Sequence, residues 1–128
     1  MALQVVRSQQ APAAIGPYSQ GMRAGDFIFF SGQIPLDPAS GEVVNGGVEK
    51  QIEQVMANCA AMLAAAGIGF EGVVKTTIFL VDMADFAVVN AVYGRHFPTN
   101  PPARSTVQVA ALPRGVAVEV EMVGYCGP

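Results

Sequence analysis

The sequence contains few charged residues and no tryptophan. Charged residues make up 13% of the 128 residues, about half of the usual share, and apolar residues make up 52%. A chain of this length forms one domain, and a monomer of that size needs a polar surface. We therefore expect residues 1–128 to fold as a single domain whose surface is partly covered by another subunit.

Basic residues are also scarce. Seven Lys and Arg residues are scattered along the chain, and the net charge is −3. Nucleic-acid-binding proteins usually carry a basic patch, so this balance argues against a nucleic-acid partner. The first ten residues lack the apolar core of a signal peptide, and the longest weakly polar run, residues 57–70, is too short to span a membrane. We expect a soluble cytoplasmic protein with reduced thiols and no membrane partner.

The residues that most often bind metals are rare. His96 is the only histidine, and Cys59 and Cys126 are the only cysteines, so no cluster has the spacing of a metal site. His96 lies near the end of a predicted helix, where a capping or surface role is the simpler interpretation. A Ser31–His96–Asp82 triad lacks a nucleophile elbow, because Ser31 lies in FSGQ and not in G-x-S-x-G. The sequence predicts no metal ion and does not favour a serine hydrolase.

Apolar periodicity predicts the element order β-β-β-α-β-α-β-β. The first helix covers residues 48–66 and is capped by Gly67. Asp82 is the predicted N-cap of the second helix, whose apolar stripe is Phe86, Val89, Tyr93 and Phe97. Short connections and two helices indicate an α+β fold with both helices on one face of the sheet. Residues 27–30 and 73–81 are largely apolar on both strand faces, and two helices cannot cover the second face. We expect a neighbouring molecule to cover it.

Residues 101–125 read as two strands joined by a turn at residues 112–115. Side chains alternate faces along a strand, so Arg104, Thr106 and Gln108 share one face of the first strand, and Glu119 and Glu121 share a face of the second. Antiparallel pairing of the two strands would place the arginine opposite one of the glutamates. Two interpretations stay open: a cross-strand ion pair on a solvated face, or a site in which the guanidinium binds a carboxylate ligand beside a glutamate that handles water or protons.

Four other residues carry similar pairs of interpretations. Ser31 and Gly32 end a buried apolar strand, which marks either simple strand termination or a place where a ligand approaches the backbone. Asn90 lies on the inner stripe of the second helix, where its amide needs a partner in the fold or in a pocket. Tyr18 follows a Pro- and Gly-containing loop and is either a packing aromatic residue or a cover for a site.

Four stretches of the chain match a known family pattern: APAAIGPYSQG (11–21), FFSGQIPLDPASGE (29–42), VVKTTIFLVDMADFAVVNAVY (73–93) and PPARSTVQVAALPRGVAVEVE (101–121). They resemble the Rid, or YjgF, family of reactive-intermediate deaminases. The resemblance covers nearly the whole chain and is most specific in the P-A-R-S block with its downstream E-x-E strand. It implies a six-stranded mixed sheet with two helices on one face, a chorismate-mutase-like fold that assembles as a homotrimeric barrel with its active sites in the clefts between subunits.

The resemblance also implies a reaction and a role for each candidate residue. The substrates would be 2-imino acids and their enamine tautomers, such as 2-iminobutanoate and 2-iminopropanoate, which are hydrolysed to 2-keto acids and ammonia. Arg104 would bind the substrate carboxylate, and Glu119 would position the attacking water and move protons. A protonated imine is already electrophilic, so no cofactor is expected. The remaining roles fall to residues that bind the substrate or shape and close its pocket: Tyr18, Ser31, Gly32, Asn90 and Thr106.

This chain departs from the family pattern at one position. A cysteine often follows the P-A-R-S block in the family, whereas this chain has Thr106, so a thiol-based switch loses its support. The deaminase role needs only the backbone there. Two other functions stay open: a non-catalytic sensor that binds 2-keto acids or small carboxylates, and an endoribonuclease or translation inhibitor, against which the acidic balance counts.

Overall fold

The chain folds as one layer of two helices on a six-stranded sheet. The computed structural model describes residues 3–128. The sheet order is β1-β2-β3-β6-β4-β5, and all neighbouring strands run antiparallel except β4 and β5, which are parallel. This mixed α+β architecture confirms the predicted fold class and the predicted order of elements. The elements are β1 (Gln4–Val6), β2 (Gly21–Ala24), β3 (Phe27–Gln33), α1 (Gly47–Ala65), β4 (Val73–Leu80), α2 (Phe86–Gly94), β5 (Ala103–Gln108) and β6 (Val118–Tyr125).

Helix α1 buries an apolar stripe that recurs every three or four residues. Residues three or four positions apart lie on the same face of an α-helix, and this face of α1 packs against the sheet. The helix ends where Gly67 takes a left-handed φ of +79° and donates its N–H to Ala64 O, as the sequence predicts. The buried apolar side chains of the stripe are Ile52, Val55, Met56, Cys59, Met62 and Leu63.

Helix α2 begins after a capped turn. The Asp82 carboxylate accepts a hydrogen bond from Ala84 N at 2.9 Å and so caps the 3₁₀ turn that leads into the helix. The N-cap residue of α2 itself is Asp85, three residues later than predicted. Val89, Val92 and Tyr93 are buried, which turns this face of α2 toward the sheet and α1. Both helices therefore lie on the same face of the sheet, as predicted.

The opposite face of the sheet, called here the open face, carries exposed apolar side chains. Ile28 and Phe30 of β3 are buried under the helices, whereas Phe27 and Phe29 are 43% and 51% exposed. Within one chain, residues 27–30 are therefore buried on the helix side alone, and the open face is the one that we expect a neighbouring molecule to cover. The physical reason is the alternation of side chains along a strand: two helices cover only one of the two faces.

The strands at the C-terminal end do not form the predicted hairpin. Strand β4 lies between β5 and β6: it pairs in parallel with β5 and antiparallel with β6. The segment between β5 and β6 therefore crosses over β4 instead of making a tight turn. A parallel pair needs a crossover, and α2 supplies the one between β4 and β5. The sequence pattern at residues 112–115 correctly predicted a turn, which is the 3₁₀ turn Pro113–Gly115. It could not predict which strands become neighbours.

The two cysteines are free thiols. Burial raises the pKa of the Cys59 thiol to about 12, so this group stays neutral at ordinary pH. In residues 3–128 no helix is both long and apolar enough to cross a membrane.

Candidate functional site

Arg104 lies on the edge strand β5 and points to the helix side of the sheet. Its guanidinium carbon lies 5.1 Å from the centroid of the Tyr93 ring and 5.6 Å from that of Phe86. Its Nη1 donates a hydrogen bond to Asn90 Oδ1 at 2.7 Å. Two aromatic faces and one amide therefore orient the guanidinium, and the structure brings the predicted residues Asn90 and Arg104 together. The predicted place of Asn90 on the inner stripe of α2 is wrong, because Asn90 is exposed and its neighbour Val89 is the buried residue.

Tyr93 is held in place by a hydrogen bond to the sheet. Its hydroxyl lies 2.6 Å from Thr76 Oγ1, and both residues are buried. Burial raises the pKa of Tyr93, while the hydrogen bond to Thr76 and the charge of Arg104 oppose that shift. The tyrosine is therefore neutral and acts as a platform for the arginine. A cavity of about 410 Å³ opens beside them, and its lining includes Asn90, Tyr93, Pro101, Pro102 and Arg104.

Thr106 lies two residues further along β5 on the same side of the sheet. It is aligned with Ile78, which is buried under the helices. Its Oγ1 is buried and has no hydrogen-bond partner among the described residues. A buried hydroxyl usually has a hydrogen-bond partner, so the Thr106 hydroxyl is a polar group that the described residues leave unsatisfied.

Tyr18, Ser31 and Gly32 line a second cavity of about 350 Å³. Ser31 is fixed to the preceding loop, because its Oγ donates to Ser19 O at 2.6 Å and its N–H donates to Gln20 O at 2.9 Å. Tyr18 is 53% exposed at the cavity mouth. The structure therefore brings these three predicted residues together as well.

Glu119 borders this second group. It lies on β6 beside Phe79 of β4, and its carboxylate lies against Gly32 of β3. Burial raises the pKa of the Glu119 carboxyl, and the nearby charge of Glu121 raises it further. A carboxyl with a raised pKa exchanges protons closer to neutral pH than an ordinary glutamate does.

Arg104 and Glu119 lie on opposite faces of the sheet. Arg104 is aligned with Thr76, and Thr76 with Met122 on the helix face, whereas Glu119 lies three residues before Met122. An odd separation puts two side chains of a strand on opposite faces. The predicted meeting of Arg104 with a glutamate of the same chain is therefore wrong. We call Arg104, Asn90 and Thr106 the arginine half-site, and Glu119, Gly32, Ser31 and Tyr18 the glutamate half-site.

Three residues that matter for these half-sites were missed in the sequence. Phe86 and Tyr93 looked like core residues of a helix stripe, and only their contact with Arg104 shows the second role. Gln20 is buried, and its side chain bonds to Ser8 and to Pro12 O, which fixes the loop that carries Tyr18. The only available signal for Gln20 was its place in the Y-S-Q-G stretch.

The alternative triad is not supported by the contacts of its members. Ser31 bonds to backbone, Asp82 caps a turn, and the His96 ring packs 4.8 Å from that of Phe70. Burial and the charge of Arg95 lower the pKa of His96. Among residues 3–128 no three His, Cys, Asp or Glu side chains are grouped closely enough to bind a metal ion.

Comparison with known proteins gives consistent matches over almost the whole chain. The profile of the family described as Endoribonuclease L-PSP matches residues 8–126. Protein DfrA of Myxococcus xanthus is 58% identical over 125 residues, which cover 96% of this chain and 95% of that protein. The 2-iminobutanoate/2-iminopropanoate deaminase of Mus musculus is 49% identical over 124 residues, covering 97% and 92%. The crystal structure of YyfA from Yersinia pestis, a Rid family protein, superposes with a TM-score of 0.95 at 43% identity and covers 97% of this chain and 99% of YyfA.

Proposed function

We propose that this chain, which belongs to the Endoribonuclease L-PSP family (also called the YjgF or Rid family), hydrolyses 2-imino acids and their enamine tautomers to 2-keto acids and ammonia. The observation that carries the proposal is the preoriented guanidinium of Arg104, together with a partly buried glutamate on the other half-site. The mammalian relatives named 2-iminobutanoate/2-iminopropanoate deaminase support these two compounds as substrates.

Arg104 has the geometry to bind the carboxylate of an imino acid. A guanidinium has five N–H donors in one plane, and Asn90 uses one nitrogen, which leaves donors for a bidentate pair with a carboxylate. The rings of Tyr93 and Phe86 restrict the plane in which this pair forms. Lysine has no such plane, so it would not replace the arginine.

Glu119 has the properties of the group that transfers protons. The carbon of a protonated imine accepts a water molecule, and the carboxylate takes the proton that the water loses. The carboxyl then gives that proton to the nitrogen, the C–N bond breaks and ammonia leaves. The hydroxyl group of the carbinolamine loses its proton to the carboxylate as its oxygen becomes the keto oxygen. The raised pKa of Glu119 suits both directions of this transfer near neutral pH. Its neighbours Ser31 and Gly32 offer backbone groups close to the reacting atoms.

The separation of the half-sites implies that the site forms between chains. The open face exposes Phe27, Phe29 and Val107, each more than 40% exposed, and such an apolar surface requires a partner. We propose a homotrimer in which the arginine half-site of one chain meets the glutamate half-site of the next. The cytoplasmic location stays a prediction.

Mixing two inactive variants tests both the reaction and the assembly. Arg104→Ala and Glu119→Gln should each abolish the acceleration of ammonia release from iminobutanoate generated by a pyridoxal-phosphate-dependent dehydratase. When the two variants are unfolded, mixed in equal amounts and refolded, about a quarter of the inter-chain sites in a random cyclic oligomer regain both native residues. Wild-type protein taken through the same steps, and each variant alone, are the controls. Activity that stays at zero in the mixture would contradict a site shared between chains.

The family description leaves one competing function, cleavage of RNA. Several surface cations of this chain are already close to carboxylates: Lys50 and Arg95 approach Glu53, and Arg114 lies 3.8 Å from Glu42. Such pairing weakens the field that attracts a phosphate backbone. Salt-dependent RNA binding by the wild-type chain would favour the nuclease. A 2-keto acid that binds through Arg104 without any turnover of imine would instead favour a sensor.

A further inference from the structure

Gly32 of β3 lies where the pairing with β6 is irregular. The register between these strands shifts between Phe30 and Gln33, so residue 32 is placed in a local bulge. The Glu119 side chain extends over this position. A methyl group added to Gly32 would overlap Glu119 Oε2 and would lie 2.8 Å from Cδ and 3.1 Å from Cγ. Non-bonded carbon atoms prefer about 3.5–4.0 Å, so no side chain fits beside the carboxylate.

The glycine is not required by the backbone. Its φ lies outside the left-handed region, although the residue lies in the bulge of β3. Any L-residue can adopt that conformation, so conformational freedom does not explain a glycine here. The remaining explanation is space, because a strand glycine often marks a close approach by another group. In this chain the approaching group is Glu119.

Steric fit also explains how the carboxylate stays in place. The ion pairs found among the described residues do not include Glu119. Its carboxylate is partly buried and lies against Gly32, which lines the cavity of Tyr18 and Ser31. A side chain at residue 32 would displace the carboxylate from this position.

We propose that Gly32 is a positioning residue for Glu119: the missing side chain at position 32 leaves the space in which the carboxylate faces the reacting atoms. The role rests on the proposed deaminase function, because it gives Gly32 a steric task in addition to any backbone contact with substrate. A misplacement of a catalytic group by about 1 Å can lower a rate up to about a hundredfold.

Gly32→Ala is the direct test, and Gly69→Ala is its matched control. Gly69 has an extended backbone, and a methyl group there would also meet a glutamate carboxylate, that of Glu71 at 2.5 Å. Glu71 is exposed, so it can move into solvent without consequence. We expect Gly32→Ala to lower kcat by about ten- to a hundredfold with a smaller change in KM, and Gly69→Ala to leave both unchanged.

A shorter side chain at residue 119 provides the decisive rescue. Aspartate lacks one methylene, so Glu119→Asp makes room for the methyl group of Gly32→Ala. The double variant should have a higher kcat than the product of the two single effects predicts, because the two changes share one volume. Strictly multiplicative effects, or a folded Gly32→Ala protein with wild-type kcat, would overturn the proposal.

Titration of the Glu119 carboxyl by NMR separates this proposal from the deaminase function, since it needs no turnover. In Gly32→Ala the carboxylate moves toward solvent, so its raised pKa should fall toward the ordinary glutamate value, while in Gly69→Ala it should not change. An unchanged pKa in Gly32→Ala would refute the positioning role, even if the wild-type protein proved not to hydrolyse imines. A shifted pKa in a protein without deaminase activity would reject only the proposed reaction.

Discussion

Removing the amide of Asn90 should weaken substrate binding without preventing folding. Asn90 accepts the 2.7 Å hydrogen bond from Arg104 Nη1, and both residues are exposed. In Asn90→Ala the guanidinium keeps its contacts with the Tyr93 and Phe86 rings but loses the group that fixes its rotation. An arginine side chain has about 2 kcal/mol of rotamer entropy to lose on binding. The variant must lose more of it when the substrate arrives.

The expected rise in KM is large enough to be measured. A hydrogen bond to a charged group contributes about 1.5–3 kcal/mol when shielded, and exposure reduces this to roughly 0.5–1.5 kcal/mol. Since 1.4 kcal/mol corresponds to a factor of ten, KM should rise roughly two- to tenfold. The change in kcat should be smaller, because Asn90 acts through a binding residue.

Initial rates of dehydratase-coupled ammonia release, measured over a range of imine concentrations, provide the assay. Val88→Ala is the matched control, since Val88 lies on the same helix, is 40% exposed and belongs to neither half-site. Asn90→Asp separates geometry from charge: it keeps an acceptor for Arg104 but adds a carboxylate that competes with the substrate, so KM should rise further. A KM in Asn90→Ala equal to that of the wild type would show that Arg104 is oriented without Asn90.

Two further predictions concern the pH profile and the stability of the site. Glu121→Gln removes one of the two causes that raise the pKa of Glu119, so the pKa of Glu119 should fall. The acidic limb of the kcat profile should then move to lower pH. A limb that stays in place would contradict the assignment of Glu119 as the base. Tyr93→Phe leaves the buried Thr76 hydroxyl without its partner and should lower the free energy of unfolding by about 1–3 kcal/mol in urea titrations. Adding Thr76→Val should cost much less than the sum of the single effects, and additive losses would argue against a direct bond.

Short-range sequence patterns correctly predicted several features of the fold and of the candidate site. Alternation along a strand correctly assigned Arg104 and Thr106 to one face of β5, because the pleat is a property of each strand alone. The apolar stripes of α1 and α2 and the caps at Gly67 and Asp82 were predictable for the same reason. Each of these features depends on residues a few positions apart.

The neighbours of each strand could not be predicted in this way. The nearness of β5 and β6 in the sequence favours a hairpin, yet β6 pairs with β3 and β4 and lies in the middle of the sheet. Strand β6 buries Val118, Val120 and Met122 under the helices, and a central position gives it hydrogen-bonded partners on both sides. Strand order depends on the burial and pairing of the whole sheet, so it cannot be predicted from any single segment.

The sequence by itself determined which side of its own strand each candidate residue of β5 and β6 takes, since this follows from short-range periodicity. That these residues carry the chemistry stays a prediction from their types. Only the tertiary structure decided that Arg104 and Glu119 lie on opposite faces, that Asn90 and Tyr93 orient the guanidinium, and that Gly32 makes room for the carboxylate. These relations join segments that are between 11 and 87 positions apart in the chain. They exist only after the sheet has selected its strand order, because hydrogen-bonded pairing and burial across all six strands are satisfied together.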